Sequence, residues 1–188
     1  MNNPPADLEY LVDILPLLEG YLIQPAVFLP APFHPGWPTS QISIGNVLLS
    51  LRRVETAQEP LTVDHRVDSI ASTLGMIRTR WRTHWQNKLA AEYAARLRIW
   101  EHFLVEFLAE YGERAGYFQT GVRNRVILEL IEMDGVVVPD PLHGMLSLLD
   151  VRLKAASQPG GFIWLDEMQA GFPEDRFWFL YRTFSKGG

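Results

Sequence analysis

The sharply basic stretch Arg78-Thr79-Arg80-Trp81-Arg82-Thr83-His84-Trp85-Gln86-Asn87-Lys88 interleaves cations with aromatic rings. That composition suits gripping phosphates while indoles stack on bases. Helical spacing argues for another use. Trp81 and Trp85 stand four apart, on one face with the apolar residues before and after them, so their rings are expected to point inward. Arg78 and Arg82 then flank one shoulder of that face, and Arg80 and His84 the other, where long cationic side chains cover a buried stripe. Arg78, Arg80, Arg82, His84 and Lys88 therefore form a candidate anion or acidic-partner site. The net charge of −5 argues against a nucleic-acid binder.

Other groupings carry less. Asp64 and Asp68 stand four apart beside His65 and could offer metal ligands, but a helix cap with a first-turn acid is the preferred explanation. Glu101, His102 and Glu106, with Glu129 and Glu132 further on, bring to mind a carboxylate-bridged metal in a helical bundle. That site type needs Glu-x-x-His, which does not occur, and Asp140 is the sole acid three positions before a histidine, His143. Glu101 and Glu129 are instead expected to pair with Arg98 and Arg125 at helical spacing. Asp166-Glu167 and Glu174-Asp175 read as exposed acids. There is no glycine-rich phosphate loop, nucleophile elbow or His-Glu-x-x-His. With no cysteine there is no disulfide framework, Cys-ligated zinc or thiol nucleophile. No catalytic residue, metal or cofactor is assigned.

The elements that must position these side chains centre on Asp64 to Gly112, a stretch without proline. Its apolar stripe runs Val67, Ile70, Leu74, Ile77, Trp81, Trp85, Leu89, Tyr93, Leu97, Trp100, Leu104, Phe107, Tyr111. From 67 to 111 is 44 residues in 12 steps, about 3.67 per step, which is the period of a straight helix rather than of a left-handed coiled coil. One or two long helices follow, with Gly75 as a possible join and Gly112 and Gly116 bracketing the turn beyond. The fold class expected is mainly α: a single-domain helical bundle built on a long central helix over about 64–112, with minor β at 42–51 and 162–165.

Around that helix, Asp7 is expected to cap Leu8 to Glu19, with Pro16 kinking it and Gly20 ending it. Residues 24–38, with Pro25, Pro30, Pro32, Pro35 and Pro38 among Val27, Phe28, Leu29, Phe33 and Trp37, form an extended strap pinned on a hydrophobic surface. Residues 41–57 fit either a hairpin or, preferred, a helix capped by Ser40 and facing inward with Ile44, Val47, Leu48, Leu51 and Val54. Thr120 to Met133 is a helix burying Val122, Val126, Leu130 and Met133 and stopped at Asp134-Gly135. Pro141 to Ala156 is another, burying Leu142, Met145, Leu146, Leu149 and Leu153. Residues 162–188 form an aromatic C-terminal element, with a short helix starting near Pro173.

At 47% hydrophobic and 21% charged, the 188-residue chain has an ordinary globular composition. The start Met1-Asn2-Asn3-Pro4-Pro5 lacks a signal-peptide pattern, and the most apolar window, Leu8 to Pro30, is broken by Pro16, Gly20 and Pro25. A soluble, cytoplasmic protein without membrane partners is expected. Consecutive Phe177, Trp178 and Phe179 cannot share one face, so Phe172, Phe177, Trp178, Phe179, Tyr181 and Phe184 need a second surface, either the strap or another subunit. These aromatics are the candidate interface of a homodimer. The functional expectation is a non-enzymatic interaction or assembly protein; the alternative is a helical-bundle enzyme or small-ligand binder using clustered acids and histidines.

Overall fold

The computed structural model describes residues 4–32, 39–57, 65–109 and 117–184. It is mainly α-helical, and two short antiparallel strand pairs make up the sheet among the described residues. A single domain was expected from the length; the chain divides into two compact units, residues 1–92 and 93–188, whose boundary falls inside the longest helix. The Asp64 cap, Tyr111, the Gly112–Gly116 turn, strap residues 33–38 and residues 185–188 lie outside the described residues.

In the first unit α1 (Pro4–Ile14) gives way at Pro16 to a 3-10 turn (Leu15–Leu17) and then to α2 (Leu18–Ile23). Proline has no N–H to continue the ladder. Gly20 lies within α2 rather than ending it, and Asp7 is buried inside α1 rather than capping it. Strand β1 (Leu29–Pro30) pairs with β2 (Gln41–Ile42). The 41–57 segment is then helix α3 (Ile44–Thr56), not a hairpin. Its cap is Ser43 rather than Ser40: the Ser43 hydroxyl accepts from the Asn46 N–H at 3.2 Å. The buried face is rotated from the one expected, because Leu49 and Ser50 are buried while Leu48 and Leu51 are half-buried.

The long element is two helices, α4 (His65–Arg80) and α5 (Arg82–Ala109), meeting at Trp81 and not at Gly75. The ladder still runs through Trp81, which bonds to Ile77 and accepts from Trp85. Just before the join the Thr79 hydroxyl donates to the Gly75 carbonyl at 2.9 Å, a back-bond that competes with the ladder and bends helices. The apolar stripe is buried from Ile70 to Phe107 except at Trp81, which like Val67 is half-buried.

In the second unit α6 (Phe118–Gly121) leads into α7 (Arg123–Met133). That helix stops at Gly135, whose φ of +84° suits a residue without Cβ. Val122, Val126 and Leu130 are buried as expected, but Met133 is exposed and Ile127, Leu128 and Ile131 fill the interior. Helix α8 (Asp140–Ala156) begins one residue before the expected Pro141, which sits in its first turn, and buries Leu146, Leu149 and Leu153, with Leu142 and Met145 half-buried. Strand β3 (Gln158–Pro159) pairs with β4 (Arg182–Thr183), so the extended segment falls before 162–165. A Cβ on Gly160 would sit 2.9 Å from that of Thr183, which explains glycine where the strands close up. Between the strands lie a 3-10 turn (Asp166–Gly171), α9 (Glu174–Phe177) and another 3-10 turn (Trp178–Leu180).

Candidate functional site

The basic stretch divides at the α4–α5 join. Arg78, Arg80, Arg82 and His84 are exposed. Arg80 meets Glu19 at 3.4 Å, and its guanidinium lies 5.9 Å from the Trp81 ring, which contacts His84 edge-on. Lys88 does not join them. It is buried, and its ammonium donates to the Gln24 carbonyl at 2.7 Å and to the Ala26 carbonyl, with the Tyr21 ring 4.3 Å away. Burial lowers its pKa, opposed by the charge of Glu92. Lys88 is therefore a clamp on the start of the strap, where Pro25 cannot donate a ladder bond, and its charge is withdrawn from the candidate anion site.

The first unit also buries polar groups whose partners were not legible in the sequence. Asp7 accepts from the Ser50 hydroxyl at 2.6 Å and lies 3.7 Å from Arg53, whose pKa burial lowers despite that carboxylate. Glu92, fully buried, accepts from the Gly45 N–H in the first turn of α3 at 2.9 Å. A helix N-terminus favours a carboxylate there, so the pairing explains burial of the charge without invoking chemistry. His65 and His143 are exposed, and His102 makes an exposed pair with Glu106 at 3.4 Å. Among the described residues no group of three His, Asp or Glu side chains is placed to hold a metal ion.

A polar network does assemble in the second unit. From α7, Arg125 grips Asp150 of α8 with two bonds of 2.9 Å and Glu129 with one of 3.2 Å, while its guanidinium lies 4.4 Å from the Phe179 ring. Burial works against the Arg125 charge, but the bond and charge of Asp150, then Glu129, outweigh it and raise its pKa. The Tyr93 phenol donates to Glu132 at 2.6 Å; burial first, then that carboxylate, push its pKa up. Glu129, Glu132, Met133 and Arg176 line an open cleft of about 500 Å³. Arg176 reaches Glu129 at 3.5 Å. Two carboxylates, Glu129 and Glu132, and one guanidinium, Arg176, line the cleft. The Arg125–Glu129 spacing was legible in the sequence; Tyr93 and Glu132, 39 positions apart, were not.

Much of the aromatic C-terminal segment is buried. Phe172, Phe177 and Phe179 are fully buried and Tyr181 nearly so. The Tyr181 hydroxyl donates to the Phe172 carbonyl, and Phe184 meets Phe118 and Phe107 edge-on at 4.7 and 4.9 Å. Their cover comes from their own unit. Of the residues expected at an interface, Phe172, Phe177, Phe179 and Tyr181 have little accessible surface to offer a partner in this chain. Trp178 and Phe184 keep partial exposure.

Exposed apolar surface lies instead on the outer side of α8. Leu148 is 54% and Val151 62% exposed, and Gly144 and Ala155 are exposed with them. The signal was present in the sequence, because α8 carries leucine and valine outside its inward stripe of Leu142, Met145, Leu146, Leu149 and Leu153. No helix among the described residues is long and apolar enough to cross a membrane. No family model matches the chain, and no curated protein or solved structure matches it.

Proposed function

We propose that this chain is a non-enzymatic interaction and assembly protein that forms homo-oligomers through the outer face of α8. The observation that carries the reading is the run Gly144, Leu148, Val151 and Ala155, apolar and exposed on a helix whose opposite face is already buried. Isolated exposed apolar residues are ordinary, but a contiguous stripe on a helix marks a docking surface. The experiment is sedimentation of the full chain over a concentration series reaching about 100 micromolar, where even a small interface populates an assembly. Mass above the 21.5 kDa monomer, lost in Val151→Glu, supports the reading; a wild-type monomer throughout refutes it. A cysteine-free chain has no need of an oxidising compartment, and the cytoplasm is the location that goes with this reading.

A second reading rests on the cleft at Glu129, Glu132, Met133 and Arg176. It makes the second unit a binder of a small organic cation, held by the carboxylates that Tyr93 and Arg125 orient. Calorimetric titration with a primary ammonium such as putrescine tests it, with loss of binding in Glu132→Gln expected. The exposed basic side chains Arg78, Arg80 and Arg82, with His84 beside them, are the candidate surface for an acidic protein partner.

A further inference from the structure

We infer, resting on the reading of α8 as the assembly face, that the occupant of this face is the same face of a second copy. The two helices lie antiparallel about a two-fold axis near Ser147 and Leu148, with each Asp140 within reach of the other copy's Lys154.

The residues of α8 supply the argument. At about 100° per residue, Gly144, Leu148, Val151 and Ala155 fall within an arc of about 60°, spaced four, three and four apart as in a helix–helix seam. The arc points away from buried Leu146, Leu149 and Leu153. Beside it, one flank carries Asp140, Ser147 and Lys154, seven apart and ordered acid, neutral, base. This order is its own complement when the helix is reversed. Antiparallel pairing about the point between residues 147 and 148 brings each Asp140 within one residue of the level of Lys154 of the partner subunit, inside the reach of a lysine side chain, and places Ser147 and Leu148 beside the axis. Parallel pairing would set acid on acid and base on base, and would align rather than oppose the helix dipoles.

Shape agrees with charge. Reversal about the point between residues 147 and 148 pairs position 144 with 151, since 144 + 151 equals 147 + 148. Gly144 is thereby laid against the Val151 of the partner subunit. Apart from its chain neighbours and the helix's own backbone, nothing lies within 4 Å of where a Cβ on Gly144 would stand, so its bare backbone is an open notch for that side chain. Lys154 is held toward one side of the helix by the Trp178 ring, 4.4 Å from its ammonium, so half-buried Trp178 borders the seam. A helix of 17 residues spans about 25 Å, which places this interface at the small end of specific contacts and its dissociation constant in the micromolar range.

The chain contains no cysteine, so single-cysteine variants report without background. Leu148→Cys, beside the axis, is expected to cross-link to its own copy through a short bis-maleimide, and Ser147→Cys serves as the second variant at the axis. Ala155→Cys alone should not cross-link: the partner's position 155 lies opposite position 140, so the two are 15 residues, about 22 Å, apart along the seam. Mixed with Pro141→Cys, it should. Lys154→Glu is expected to weaken the assembly about tenfold, and adding Asp140→Lys to restore it. An assembly that forms without cross-links at 147 or 148, that cross-links strongly through 155 alone, or that the double charge swap fails to restore overturns the antiparallel pairing while leaving assembly standing. A wild-type chain that stays monomeric overturns both.

Discussion

Asp150→Asn should destabilise the second unit by about 2–3 kcal/mol. In the wild type, Arg125 exposes 6% of its side chain and places Nε and Nη2 each 2.9 Å from the two Asp150 oxygens. Removing one partner of a buried ion pair costs about 3–5 kcal/mol, because the remaining charge stays desolvated. Here the loss is smaller, since Glu129 keeps its bond at 3.2 Å and the Phe179 ring its contact at 4.4 Å. Asparagine retains one acceptor but turns an amide N–H₂ toward a guanidinium that can only donate. With a urea slope of about 1–3 kcal/mol per molar, the unfolding midpoint should fall by roughly 1–2 M. Arg125→Met strands Asp150 and should cost a similar amount. The pair Arg125→Met with Asp150→Leu should recover to within about 1 kcal/mol of wild type, because apolar isosteres remove both charges together. A cost below about 1 kcal/mol for Asp150→Asn, or a double variant no better than its worse parent, would refute the assignment of the pair as a buried, mutually dependent unit.

Trp100→Ala should cost about 3–5 kcal/mol in urea unfolding, the range for emptying a fully buried indole site, and Trp81→Ala less than half of that because Trp81 is only half-buried at the helix join. Equal losses would show that the join is as tightly packed as the interior. Tyr93→Phe should flatten the alkaline side of the stability profile. The folded state raises the Tyr93 pKa above its ordinary 10.0, so its contribution is complete below pH 10 and declines as pH climbs past it. Melting curves between pH 8 and 11 that remain parallel for wild type and variant would contradict this.

The main elements were legible because helical periodicity is a local property. The 3.67-residue stripe predicted burial from Val67 to Tyr111, and its positions from Ile70 to Phe107 are buried save Trp81, which had been expected to point inward; Pro16 and Gly135 marked their breaks through backbone chemistry that each residue carries alone. What stayed hidden depends on distant partners. Lys88 looked like part of a cationic surface until its acceptors, the carbonyls of Gln24 and Ala26, were in place. Asp7 read as a cap because nothing nearby in sequence indicates that Ser50 and Arg53 meet it. The aromatic tail looked underfurnished with cover, since a count of rings does not show that Phe107, Phe118 and Arg125 close over them. On α8, the inward leucines drew attention from the second stripe.

Lys88 also bears on the order in which the first unit assembles. Its two acceptors lie 64 and 62 positions back along the chain. Closing a loop of that length loses entropy before any bond is made. The bonds form only once the end of α2 and the first turns of α5 already face each other. Docking of the strap therefore belongs late in folding, and a weakened clamp speeds unfolding while leaving the folding rate nearly unchanged. Under native conditions the strap should open before the rest of the unit, with the Ala31 amide, bonded to the Ser40 carbonyl, exchanging its hydrogen sooner than the Gly45 amide held by buried Glu92.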